Sequence, residues 1–141
     1  MSDTNINNVA GYLYINEKVD FEALEKALNL YAEKNDATRL RFCIVDGKPK
    51  QYLGTNEYTK FNVISVNSLG EMKDSTQKMA SSPFKLIDSK LFEFNIFKFP
   101  NGHGGFNANF HHLISDAWTM SLFISEVIDY YSAIIHNKEI S

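Results

Sequence analysis

An α+β fold, helices packed on a mixed β-sheet, follows from three features of the chain. Its 141 residues suit one domain with a core of its own. Segments with apolar residues at every second position alternate with segments in which they recur at helical spacing. Two turn sequences, Asp46-Gly47 and Asn101-Gly102-His103-Gly104-Gly105, mark hairpins between strand-like runs. The resulting order is strand, helix, hairpin, strand, helix, hairpin, helix, which suits helices laid against a mixed sheet.

Val9 to Ile15 is apolar and aromatic, and reads as the first strand. Asp20 then stands where a helix N-cap belongs, and Phe21, Leu24, Ala27, Leu28 and Tyr31 form an apolar stripe. Glu22, Glu25, Lys26 and Asn29 fall on the opposite, wet side, and the helix ends near Asn35. Arg39 to Val45 is a strand that turns at Asp46-Gly47 and returns over Pro49 to Leu53, an edge strand because proline lacks a donor. Lys60 to Val66 reads as another strand. Ser68-Leu69-Gly70-Glu71 is a capping box, opening a helix that packs Met72, Thr76 and Met79 and is broken by Pro83. Leu91 to Phe99, with Phe92, Phe94 and Ile96 on one face, is a central strand forming a hairpin with Gly105 to His112. From Trp118 onward, Leu122, Val127, Ile128, Tyr131 and Ile134 define a last amphipathic helix that ends around His136-Asn137-Lys138, where cationic groups suit its dipole.

Composition removes several classes of function. A formal charge of −3 with scattered basic residues offers no field for phosphate backbones, so nucleic acid is not an expected partner. No apolar run reaches the roughly 20 residues that span a bilayer, and the first residues, Met1 to Asn8, are polar. The reading is of a soluble, cytoplasmic chain. The lone Cys43 precludes an internal disulfide and is expected to be a small core residue. Adjacent histidines seldom chelate one metal, so no metal site is expected.

The chemistry-capable cluster is Phe110-His111-His112-Leu113-Ile114-Ser115-Asp116-Ala117-Trp118-Thr119. Strand alternation sends His111 and His112 to opposite faces and puts His112 on the side of Phe106, Ala108 and Phe110. There, a partly desolvated imidazole stays neutral and can serve as a general base. Asp116 falls at a strand-to-helix turn, where a carboxylate caps a helix or orients a neighbour.

The order of these residues adds a resemblance. His111-His112-Leu113-Ile114-Ser115-Asp116-Ala117 resembles the HHxxxDG signature of the condensation domains of nonribosomal peptide synthetases, which share the chloramphenicol acetyltransferase fold. Lys34-Asn35-Asp36-Ala37-Thr38-Arg39-Leu40-Arg41-Phe42 is similar to that family's RHExLRTxF segment, keeping a basic residue, an acid, Arg39 and Phe42. Pro83-Phe84-Lys85-Leu86 is similar to its PFDL, with Lys85 in place of the acid. The three segments occur in family order, and the resemblance covers nearly the whole chain. Ala117 replaces the family's glycine, the motif that normally opens the domain is missing, and the chain stops where the first lobe would end.

The resemblance implies that residues 1–141 form the N-terminal lobe of a condensation domain, an acyltransferase joining a carrier-bound acyl or peptidyl thioester to a carrier-bound aminoacyl amine. It implies His112 as the catalytic residue and His111, Asp116 and Arg39 as structural support. Asp116 would pair with Arg39, Arg41 being the weaker candidate, and Ala117 and Trp118 would line the substrate channel. No cofactor is expected to bind directly: phosphopantetheine arrives on the carrier proteins, which are the expected partners together with the second, C-terminal lobe. Alone, the chain is expected to fold but not to catalyse, with His112 facing water beside an exposed apolar patch. The rival is a noncatalytic remnant or carrier-docking module. A third reading, a chloramphenicol-type acetyltransferase, is disfavoured by length.

Overall fold

A computed structural model describes residues 8–114 and 117–139 and, in the last helix, side chains from Thr119 onward. Its main sheet has the order β1-β6-β5-β4, built from β1 (Asn8–Lys18), β4 (Ile64–Ser65), β5 (Phe92–Lys98) and β6 (His103–His111). β6 runs antiparallel to both β1 and β5, and β4 lies parallel to β5. The sheet is therefore mixed, as expected, and β5 lies inside it. Helices α1 (Phe21–Lys34) and α3 (Ala117–Ile135) cover one face, and α2 (Leu69–Ser81) covers the other.

The larger core lies between the sheet and the α1/α3 layer. Leu24, Leu28 and Tyr31 of α1 meet Phe92, Phe94 and Ile96 of β5, Phe106, Ala108 and Phe110 of β6, and Phe123, Val127 and Tyr131 of α3. Phe123 is its hub: its ring stands edge-on to Tyr31, Phe106 and Phe110 and stacks on Phe94 at 5.1 Å. A smaller core of Val66, Met72, Phe97 and Phe99 lies toward α2. The close approach of β6 to its neighbours requires Gly105, where a Cβ would stand 2.5 Å from the Leu13 carbonyl oxygen and 2.9 Å from the Met72 sulfur.

Local signals act as their chemistry dictates. The Asp20 carboxylate accepts the Ala23 N–H at 3.0 Å, and the Ser68 hydroxyl accepts the Glu71 N–H at 3.2 Å. Glu71 reaches back to the Asn67 N–H, completing a reciprocal cap one residue ahead of the box's own N-cap amide. Asp46 and Gly47 both have positive φ (52° and 75°), as a two-residue hairpin turn between β2 (Leu40–Val45) and β3 (Lys48–Leu53) demands. Met72, Thr76 and Met79 are the buried residues of α2.

Five expectations are corrected. The strand foreseen over Lys60–Val66 shrinks to Ile64–Ser65, because the segment before it is tied to α1 by side chains. The Asn29 amide both accepts the Thr59 N–H (2.7 Å) and donates to its carbonyl (2.9 Å). Glu25 accepts the Phe61 N–H (2.8 Å) and the Tyr58 hydroxyl (2.9 Å), so Glu25 and Asn29 are binding groups rather than solvated ones. The β2–β3 hairpin forms its own two-stranded sheet, which leaves Cys43 half-buried instead of in the core. In α3, Phe123 (1% exposed) takes the core position that spacing had given to Leu122 (44%). Finally, His112 is exposed, not on the apolar face.

Candidate active site

The site forms where β6 ends. Phe106, Ala108 and Phe110 face the aromatic core, while Asn107 and Asn109 on the alternate face are equally buried, at 0% and 1%, beneath α2. The Asn107 amide donates to the Thr76 hydroxyl (3.0 Å), and Asn109 donates to the Met79 carbonyl (2.9 Å). With both faces covered, the strand is a fixed support for the residues that follow it.

His111 is the last residue of that support. It lies opposite Asn8 of β1, donates its N–H to the Leu91 carbonyl at 2.8 Å, and is 6% exposed. Its ring packs at 6.1 Å against Phe84 of the Pro83-Phe84-Lys85-Leu86 segment. Its Nδ1 accepts the Leu113 N–H at 3.0 Å. The chain then leaves the extended form for a 3-10 turn, His112–Ile114, whose Ile114 is buried in the main core. His112 is carried out to solvent by this turn, which is the physical reason that strand alternation misplaced it.

Beside the turn lies an apolar cleft of about 610 Å³ lined by Phe42, Ile44, Pro49, Leu86, Ile87 and Leu113, with Lys85 as its charged member. Its two walls are joined: Asp88 donates its N–H to the Phe42 carbonyl at 2.7 Å, and the Tyr52 hydroxyl donates to Asp88 at 2.8 Å. That hydrogen bond is the main cause that raises the Tyr52 pKa. Leu113, 48% exposed, lines the cleft one residue from His112.

The two arginines have different surroundings. Arg39 donates from Nε to the Gly54 carbonyl (3.0 Å) and pairs through Nη1 with Asp36 (3.2 Å) at the surface. Arg41, only 6% exposed, donates from Nη1 to the Thr38 and Leu40 carbonyls and from Nη2 to Asn56 (2.7 Å). Burial lowers its pKa, but an arginine remains charged. Asp116, expected to pair with Arg39, lies outside the described residues, as do the side chains of Ala117 and Trp118. Sequence reasoning missed the burial of Asn107 and Asn109, for which an asparagine within an apolar alternation was the available signal, since such a residue is buried only with a partner; it also missed Asn56, whose polar loop carries no such signal. Among the described residues no group of three His, Cys, Asp or Glu side chains can hold a metal, and no helix is long and apolar enough to cross a membrane.

The same α+β fold is found in solved structures of condensation domains. The starter condensation domain of rhizomide synthetase superposes with a TM-score of 0.84 at 22% identity, over 99% of this chain and 35% of that one. The first condensation domain of the CDA synthetase gives 0.85 at 18% identity, over 99% and 38%. A doubly substituted form of the rhizomide domain, in complex with C8-CoA and Leu-SNAC, gives 0.85 at 21% identity, over 99% and 33%.

The family model described as "Condensation domain" matches residues 1–141. The chain belongs to the condensation-domain family. One plipastatin synthase polypeptide of Bacillus subtilis (strain 168) is 30% identical over 134 residues, 92% of this chain. One surfactin synthase polypeptide of the same organism is 28% identical over 145 residues, 96% of this chain. The chain spans 5% and 4% of those two proteins.

Proposed function

We propose that residues 1–141 act as the N-terminal lobe of a peptide-bond-forming condensation domain and that His112 is its reacting imidazole. The observation that carries this reading is the exit of the chain from β6: buried His111 ends the strand, and the 3-10 turn presents His112 to solvent beside the cleft. In the reaction, the amine nitrogen of the acceptor attacks the thioester carbonyl of the donor. A neutral His112 takes the proton that the amine sheds as the C–N bond forms. As the tetrahedral intermediate collapses, the C–S bond breaks, and the imidazolium returns the proton to the leaving thiolate. Both substrates arrive on phosphopantetheine arms of carrier proteins, an assignment supported by the thioester ligands of the rhizomide domain.

Arg39 and Asp116 pair to hold the turn, His111 supports it, and Ala117 and Trp118 line the channel in this reading. A second lobe supplies the opposite wall. Orientation of two reactants is worth about 7–11 kcal/mol, and an imidazole in open water orients nothing, so the lobe alone is expected to be silent. The test incubates loaded donor and acceptor carrier proteins with the purified chain, with the chain plus a second lobe, and with a His112→Ala form of that pair, following product by mass spectrometry. Product from the wild-type pair alone is expected. Turnover that persists in His112→Ala overturns the assignment, and silence of the wild-type pair with both lobes folded favours a noncatalytic carrier-docking module.

A further inference from the structure

We infer that His111 is a positioning residue fixed as its Nε2–H tautomer, and that the acceptor lone pair on its Nδ1, rather than the bulk of its ring, turns His112 out of the sheet. A backbone N–H can only donate. The Leu113 N–H points at His111 Nδ1 at 3.0 Å, so that nitrogen is unprotonated and the ring proton of neutral His111 sits on Nε2. A side-chain acceptor at residue i that takes the N–H of residue i+2 is the pattern by which asparagine and aspartate end extended chain. His111 Nδ1 occupies the place of an asparagine Oδ1. The bond draws residue 113 back toward residue 111, which an extended strand cannot do, so β6 stops at His111 and the 3-10 turn begins at His112.

The rest of the surroundings hold the ring so that Nδ1 stays aimed. The His111 N–H is tied to Leu91, Phe84 packs against the ring, and Ile114 anchors the far end of the turn in the core. The adjacent histidines therefore have divided tasks: His111 is a fixed acceptor, and His112 is the imidazole left to exchange protons. This consequence for catalysis rests on the proposed role of His112, whereas the tautomer and the turn do not.

The experiment uses the 141-residue chain labelled with 15N and 13C. Long-range proton–nitrogen spectra at neutral pH are expected to show His111 Nδ1 unprotonated and Nε2 protonated; the reverse pattern overturns the inference. Two variants then separate acceptor from bulk. His111→Asn keeps an acceptor in the same place, on a face that already carries Asn107 and Asn109, while His111→Phe keeps a ring and removes the acceptor. Exchange of the Leu113 amide is expected to quicken by about five- to tenfold in His111→Phe, the change that follows loss of one hydrogen bond, and to stay within about threefold of wild type in His111→Asn. Equal exchange in the two variants, or protection retained by phenylalanine and lost with asparagine, refutes the acceptor role. Should His111→Phe not fold, the tautomer in the wild-type chain still decides. In a two-lobe domain the same order is expected in kcat with KM unchanged, and loss of activity in His111→Asn with its turn intact would remove only the catalytic consequence.

Discussion

Truncating Phe123 is expected to be far more damaging than truncating its neighbour Leu122, and the comparison tests the register of the whole α3 face. Phe123 is 1% exposed and contacts four aromatic rings, those of Tyr31, Phe94, Phe106 and Phe110, at centroid distances from 4.8 to 5.8 Å. Phe123→Ala removes its burial and leaves a void among rings from α1 and the sheet, which cannot all collapse into it. Such a substitution costs about 3–5 kcal/mol, against a total stability of roughly 5–15 kcal/mol for a domain. Leu122 is 44% exposed, so Leu122→Ala should cost about 1 kcal/mol or less. In thermal unfolding of the purified chain, the melting temperature should fall by roughly 10–20 °C for Phe123→Ala and by a few degrees for Leu122→Ala. Equal losses, or the reverse order, would show that α3 packs through Leu122 and that its assigned core face is wrong.

Other perturbations have distinct expected outcomes. Gly105→Ala should cost at the upper end of roughly 1–3 kcal/mol, because the Leu13 carbonyl oxygen that its Cβ meets belongs to a neighbouring strand and cannot swing aside; denaturant titration checks this. Gly47→Ala meets open space but has φ of 75°, so only a backbone strain of roughly 1–2 kcal/mol is expected there. Asp20→Ala should lose about 1 kcal/mol with the α1 cap, and Asp20→Asn should recover most of it in the same assay. Burial, with Glu126 and Tyr130 adding to it, pushes the Tyr31 pKa up from 10.0 to about 12. The unfolded phenol ionises first, so this contribution is intact below pH 10 and is lost as pH rises toward 12. The loss is about 2–3 kcal/mol, and Tyr31→Phe should flatten that part of an alkaline unfolding profile.

The elements that were legible in the sequence are those specified by a local rule. Asp20, Ser68 and Asp46-Gly47 each act on backbone groups within a few residues, so their sequence neighbourhood contains most of the relevant physics. The family was legible in a different way, through the order of residues in the histidine motif. What could not be read depends on partners far along the chain. Glu25 and Asn29 look like solvated helix residues until a segment some 30 residues later lies across them. Leu122 and Phe123 both fit an apolar stripe, and only the ring cluster chooses between them. His112 followed the parity of Phe106, Ala108 and Phe110 only for as long as the strand continued, and the strand ends through a side-chain hydrogen bond that no periodicity encodes.

The asparagines between the sheet and α2 complete the account of how the site is held. A sheet-to-helix interface made only of apolar side chains lets a helix slide, whereas directional hydrogen bonds fix its register. Asn107 bonds the Thr76 hydroxyl and Asn109 the Met79 carbonyl, while Asn8 donates to the carbonyls of Ala80 (3.1 Å) and Ser82 (2.8 Å). Three of these four acceptors are main-chain carbonyls in and just beyond the last turn of α2, where a helix end runs short of intrahelical donors; the Met79 carbonyl also accepts the Ser82 N–H at 3.2 Å. The sheet thus caps the helix. The Oδ1 atoms of Asn8, Asn107 and Asn109 have no protein partner among the described residues, a desolvation cost that apolar residues would avoid and that the fixed helix end offsets. Immediately after that end come Pro83 and Phe84, and Phe84 packs on His111, whose Nδ1 holds Leu113 and so presents His112. Asn109 and His111 lie two residues apart on one face of β6, so a single strand both anchors the end of α2 and carries the histidine that this end supports.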